Sequence, residues 1–115
     1  MNRLFLMAIL FSMGVARAQS SGEAAKGKQV FIDYTCYACH GFSGQNGTGM
    51  RLVPMKMTQA AFTAYVRNPR QMPSFSAKVL SDAQLADVFA YLKTLPDSAP
   101  PARSVPVLNE ILNEK

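Results

Sequence analysis

The clearest pattern of apolar and polar positions lies in the second half of the chain. Apolar residues recur there at the i, i+3, i+4 and i+7 spacing of one helix face, namely Leu85, Val88, Phe89 and Leu92. Ser81 and Gln84 precede them at the spacing of a capping box, and Pro96 follows, where a helix must stop. The pattern predicts an amphipathic helix that begins after Ser81 and ends before Pro96.

Two further helices are predicted upstream. The first spans about residues 22–35, begins near a capping-box pair formed by Ser20 and Glu23, and carries apolar or small residues at helical intervals, namely Ala24, Gly27, Phe31 and Tyr34. The second spans residues 58–67, with Thr58 as its cap. Since no alternating strand pattern accompanies these segments, the sequence favours an all-α fold.

Turn-forming residues separate the predicted helices. Residues 41–49 are rich in Gly, Ser and Asn, and residues 71–79 contain Pro73 without a sustained period, so both are predicted loops. Residues 96–115 form a Pro-rich extension with four prolines, for which an extended path is expected. That extension also carries Val105, Val107, Leu108, Ile111 and Leu112, which we expect to be covered by the protein's own helices or, as we favour, by a partner.

The first residues have the organisation of a secretory signal. Asn2 and Arg3 form a short positive region, residues 4–11 are apolar, and Ala16-Arg17-Ala18 resembles a cleavage site. The apolar stretch is shorter than the roughly 20 residues of a spanning helix, although an uncleaved anchor is the alternative. We predict a signal peptide at residues 1–18, export to the periplasm, and a mature domain at residues 19–95.

Composition limits the function classes. The chain has 115 residues, enough for one domain, and a formal charge of +5 that falls to +3 when the signal is removed with Arg3 and Arg17. A multidomain enzyme is excluded, and nothing indicates binding to nucleic acid. A domain this small often depends on a metal, a disulfide or a cofactor for stability.

The two cysteines and the single histidine form a motif that is typical of one particular cofactor. They form Cys36-Tyr37-Ala38-Cys39-His40, the C-x-x-C-H pattern of covalent c-type haem attachment, in which both thiols become thioethers and the histidine ligates iron. A thiol–disulfide centre lacks the βαβ pattern that usually surrounds it, and a zinc site lacks a fourth good ligand. A structural disulfide does not explain His40. The motif predicts one haem c.

The second axial ligand follows by elimination. One histidine cannot supply two ligands, and methionine is the thioether ligand that favours electron transfer. The mature chain offers Met50, Met55, Met57 and Met72. We favour Met72, because it lies in a loop between two predicted helices and is followed by Pro73, which stiffens that loop. Met50 is the next candidate, and Met55 and Met57 fit as core fillers.

From about Ala24 to Leu95 the sequence resembles a small class I c-type cytochrome. The resemblance rests on the C-x-x-C-H-Gly segment, the glycine-rich loop, residues 67–69 before Met72-Pro73, and the last helix. It implies three to four helices around one haem, with Gly27 and Phe31 of the first helix meeting Val88 and Tyr91 of the last. Such cytochromes commonly place a proline where this chain has Met50, so the backbone carbonyl that orients His40 is expected from Met50 or from Pro54.

These features predict a periplasmic electron carrier rather than an enzyme, with iron cycling between two oxidation states. Its expected partners are redox proteins, such as a periplasmic dehydrogenase that it serves as a subunit, or a terminal oxidase, and no membrane span is expected after signal removal. The alternatives are a haem sensor or peroxidase-like protein with an open sixth site, and a haem-free thiol oxidoreductase.

Basic residues are concentrated between Ala24 and Leu80. They either steer an acidic partner or form a solvated face, with Arg67 or Arg70 neutralising a haem propionate.

Overall fold

The computed structural model describes residues 21–98 and 101–114. Over these residues the chain forms α1 (Ala24–Asp33), α2 (Cys36–His40), α3 (Gln59–Arg67), α4 (Asp82–Thr94), a 3₁₀ turn (Ala102–Ser104) and α5 (Pro106–Asn113). No strand occurs within them, which confirms the all-α prediction. The predicted signal peptide, residues 1–18, lies outside the described residues.

The predicted caps of α3 and α4 are both formed. The Thr58 hydroxyl accepts a hydrogen bond from the Ala61 amide at 3.2 Å. At the start of α4, the Ser81 side chain accepts from the Gln84 amide at 3.2 Å, and the Gln84 side chain accepts from the Ser81 amide at 2.9 Å. These bonds satisfy amides that have no partner inside the helix, so both helices begin where the sequence indicated.

The start of α1 differs from the prediction. Glu23 is the cap residue rather than a member of the first turn, and its side chain makes no cap hydrogen bond. Ser20, the other member of the predicted capping box, lies outside the described residues. Instead, the Glu23 amide donates to the Asp87 carboxylate on α4 at 2.6 Å. A contact with a distant helix has replaced the local cap, and α1 therefore runs over Ala24–Asp33 rather than 22–35.

The crossing of α1 and α4 forms the centre of the core. Gly27 is buried there, and a Cβ atom at this position would overlap the backbone of Asp87, so only glycine allows the two helices to come this close. Phe31 is 1% exposed and its ring lies 5.7 Å from that of Tyr91. The predicted meeting of these helices is confirmed. The buried cluster comprises Phe31, Val53, Phe62, Val66, Leu80, Leu85, Val88 and Leu92.

The sequence predicts an extended path for the C-terminal extension, but part of this segment is helical in the structure. It contains the 3₁₀ turn and then α5, with Pro106 in its first turn, where the missing amide hydrogen costs nothing. The expectation of an extended path was wrong for this segment, because proline is compatible with the first turn of a helix and the apolar residues after Pro106 recur at helical spacing. Four apolar side chains of α5 are exposed, namely Val107, Leu108, Ile111 and Leu112. Among the elements described, α5 packs against the 3₁₀ turn alone.

Candidate functional site

The C-x-x-C-H residues form a helix of their own. Thr35 adopts a left-handed conformation with φ of 56°, which ends α1 and turns the chain into α2. Gly41, with φ of 74°, ends α2, and its amide donates to the Tyr37 carbonyl at 2.8 Å. Sequence periodicity did not predict α2, because five residues are too few to show a repeat.

One helical turn thus brings the two thiols and the imidazole to the same place. Cys36, Cys39 and His40 all line a cavity of about 800 Å³ whose other walls come from α1, α3, α4 and the loops that precede α3 and α4. The two sulfur atoms are not bonded to each other. Burial raises the pKa of the Cys36 thiol above its ordinary value, whereas Cys39 is exposed.

A backbone carbonyl orients the imidazole. The Nδ1 atom of His40 lies 2.7 Å from the carbonyl oxygen of Met50, to which it donates a hydrogen bond. This bond fixes the tautomer and leaves Nε2 as the nitrogen available to a metal. Of the two carbonyls that the sequence left open, Met50 is therefore the acceptor, and Pro54 is not.

A glycine allows the loop to approach the imidazole. The Gly49 amide donates to the Cys39 carbonyl at 2.6 Å, and a Cβ at Gly49 would lie 3.1 Å from the Nδ1 atom of His40. A side chain at this position would press against the ring and push the loop away. The glycine at this position thus allows the backbone of the loop at residues 41–49 to pack closely against α2.

All four candidate methionines, Met50, Met55, Met57 and Met72, line the cavity, so the cavity alone does not choose among them. Met50 is 53% exposed, and its backbone carbonyl accepts the hydrogen bond from Nδ1 of His40. Met55 packs against the buried cluster. Met72 is half-buried and comes from the loop between α3 and α4, as predicted.

The loop that carries Met72 is held firmly after that residue. The Phe75 amide donates to the Val66 carbonyl at 3.2 Å, and the Arg67 guanidinium donates to the Phe75 carbonyl at 2.8 Å while also pairing with Asp82. The sequence places Arg67 among basic residues that either steer an acidic partner or form a solvated face, with Arg67 or Arg70 neutralising a haem propionate. No sequence pattern linked Arg67 to Phe75, because the contact depends on the path of the loop.

The residues present fit a covalently attached haem. Two cysteines and one histidine line a largely apolar cavity from a single helical turn, and four methionines line the same cavity. The cavity volume lies within the range of small-molecule and cofactor sites. In the part of the chain that the structure describes, no helix is long and apolar enough to cross a membrane.

An all-α fold with this motif at a cavity defines a c-type cytochrome domain. The family model described as cytochrome c oxidase, cbb3-type, subunit III matches residues 22–92, and the chain belongs to this family. Membership implies a covalently bound haem c and a role in electron transfer.

One curated relative supports the same class. The cytochrome bc1 complex cytochrome c subunit of Corynebacterium diphtheriae is 30% identical over 77 residues, a match that covers 63% of this chain and 27% of the relative. The chain thus spans about a quarter of that protein's length. No solved structure matches the chain significantly.

Proposed function

We propose that the chain is a periplasmic electron carrier with a single haem c, whose iron is ligated by His40 and Met72 and whose porphyrin is attached to Cys36 and Cys39. The observation that carries the proposal is the hydrogen bond from His40 to the Met50 carbonyl at 2.7 Å, which prepares Nε2 for iron. When bound, the haem supplies one-electron exchange between Fe(III) and Fe(II). The polypeptide itself orients the imidazole and surrounds the porphyrin with apolar side chains.

The choice of Met72 rests on the placement of the alternatives. If Nε2 of His40 holds the iron, the second protein ligand would have to come from a different segment of the cavity wall. The Met50 carbonyl is bonded to Nδ1 of the same ring, which disfavours Met50 as that ligand. Met72 belongs to a different segment of the cavity wall, in a loop fixed at Phe75 by Arg67.

A substitution at Met72 tests the ligand set. We expect Met72→Ala to abolish the methionine–iron absorption band, to allow carbon monoxide to bind the reduced protein, and to lower the reduction potential, since thioether ligation favours reduced iron. Met57→Ala is the matched control and should keep the band. Loss of the band in Met50→Ala instead, or carbon monoxide binding by the wild-type protein, would contradict the assignment; the second result would favour a sensor or peroxidase-like function.

The proposal extends to a stable redox partner, such as a dehydrogenase or a terminal oxidase. The descriptions of the matched family and of the relative both name subunits of larger assemblies. In this chain, the apolar side chains of α5 are exposed and are flanked by Glu110 and Glu114. An acidic flank disfavours an anionic membrane surface, so the helix suits an apolar groove with a basic rim on a protein.

Shortening the chain tests the role of α5. A chain that ends at Ser98 should keep the haem spectrum and melting temperature but lose co-purification with a redox enzyme that reduces the haem in the presence of its substrate. Leu108→Asp on the apolar face should act in the same way, while Asn109→Asp on the opposite face should not. A large fall in melting temperature with undiminished electron transfer would show that α5 packs within the molecule instead.

A further inference from the structure

Arg51 makes an unusual set of contacts for an arginine next to a cofactor cavity. Its Nε atom donates to the Val53 carbonyl at 2.5 Å, and its Nη2 atom donates to the Gln45 side-chain oxygen at 2.8 Å and to the Asp97 carbonyl at 2.6 Å. The Gln45 side chain in turn donates to the Pro96 carbonyl at 2.6 Å. Arg51 and Gln45 together therefore join the glycine-rich loop to the chain that leaves α4.

The backbone of Arg51 shares a peptide unit with the carbonyl that orients His40. The Met50 carbonyl and the Arg51 amide belong to one plane, so a rotation of this unit moves the oxygen that accepts from Nδ1. On the preceding side, the Gly49 amide is bound to the Cys39 carbonyl. On the following side, the Arg51 side chain holds the unit through its three acceptors.

We propose that Arg51, supported by Gln45, is a positioning residue for His40: it fixes the direction of the Met50 carbonyl and links it to Pro96 and Asp97. This inference rests on the proposed ligation of iron by His40. A hydrogen bond from Nδ1 makes the imidazole a stronger donor and favours oxidised iron. Weakening the bond should therefore raise the reduction potential.

The sign of the shift separates positioning from plain electrostatics. Removal of a positive charge near the haem destabilises reduced iron and lowers the potential, whereas a weaker His40 hydrogen bond raises it. Arg51→Lys keeps the charge but cannot reproduce the planar set of donors, and Gln45→Ala changes no charge at all. Both variants should therefore report on positioning alone.

The experiment uses the haem-loaded protein. In Arg51→Lys and Gln45→Ala we expect solvent exchange of the His40 Nδ1 proton, followed by nuclear magnetic resonance, to be about fivefold faster, the change that corresponds to a hydrogen bond worth ~1 kcal/mol. The reduction potential should rise, and the methionine–iron band should remain. Asn46→Ala, an amide removed from the same loop, should leave both the exchange rate and the potential unchanged.

Two truncations test the link to the chain after α4 without altering the loop. A chain that ends at Leu95 lacks the Pro96 and Asp97 carbonyls and should show the same faster exchange and higher potential. A chain that ends at Ser98 keeps both carbonyls and should resemble the wild type.

Unchanged exchange in both loop variants, or a lower potential in Arg51→Lys, would overturn the inference while the wild-type spectrum still supports His40 as ligand. A wild-type protein without histidine–methionine ligation would overturn the proposed function itself. Melting curves of each variant show that a change in exchange does not reflect unfolding.

Discussion

Gly27→Ala is the substitution for which the crossing of α1 and α4 makes the sharpest prediction. In an unconstrained helix this change stabilises by about 1 kcal/mol, because alanine has the better helix propensity. Here the new Cβ would overlap the Asp87 carbonyl and lie 2.8 Å from the Val88 amide nitrogen. Both atoms are backbone atoms of α4, so the strain cannot be relieved by a side-chain rotation.

The helices must therefore separate, which opens gaps around Phe31 at the most buried part of the core. Overpacking of a core typically costs about 1–3 kcal/mol. We expect a cost at the upper end, ~3 kcal/mol, because the overlapped atoms belong to the backbone and cannot rotate away. For a domain of this size, that loss corresponds to a fall in melting temperature of roughly 12–24 °C.

Thermal unfolding of the haem-loaded protein, followed by circular dichroism, measures the effect. Ala25→Gly, at an exposed position of the same helix, is the control and should cost only about 1 kcal/mol. The two substitutions change helix propensity in opposite directions, yet both should destabilise, and Gly27→Ala more. A melting temperature at or above that of the wild type in Gly27→Ala would refute the packing argument.

Two further predictions concern the haem site. The double variant Cys36→Ser and Cys39→Ser should lose cooperative thermal unfolding and most of its helix content, because the core would enclose a cavity of about 800 Å³ instead of the haem; a cooperative transition with wild-type helicity would contradict this. Arg67→Ala should lose about 2 kcal/mol of stability, since its side chain, 22% exposed, makes charged hydrogen bonds to Phe75 and Asp82, and the methionine–iron band should fade at a lower temperature than in the wild type. If the band fades at the same temperature as in the wild type, the loop does not depend on Arg67.

Local signals accounted for much of the fold. Thr58 and Ser81 are caps whose partners lie three residues away, so α3 and α4 were predicted with nearly correct limits. The family resemblance supplied the packing of Phe31 near Tyr91, which no local signal contains. The start of α1 was missed because the Glu23 amide is bound by Asp87, a residue 64 positions away.

The site shows the same division between local and long-range information. The order Cys36 to His40 predicted the attachment chemistry, because all of its groups lie within one helical turn. The choice of the Met50 carbonyl over Pro54 depends on how the glycine-rich loop folds back on α2, and composition does not specify that path. The contacts of Arg51 and Arg67 were likewise hidden, since most of their acceptors are backbone carbonyls, which every residue possesses. Their side-chain acceptors, Gln45 and Asp82, come within reach only through the path of the folded chain.

The contact between α1 and α4 has a consequence for the order in which the chain matures. The motif in α2 emerges during synthesis well before Leu85 and Leu92, which supply part of the cavity wall. Until α4 has emerged, α1 lacks the helix against which most of its buried face packs. The cavity around α2 therefore cannot close before nearly the whole of residues 21–98 has been added to the chain.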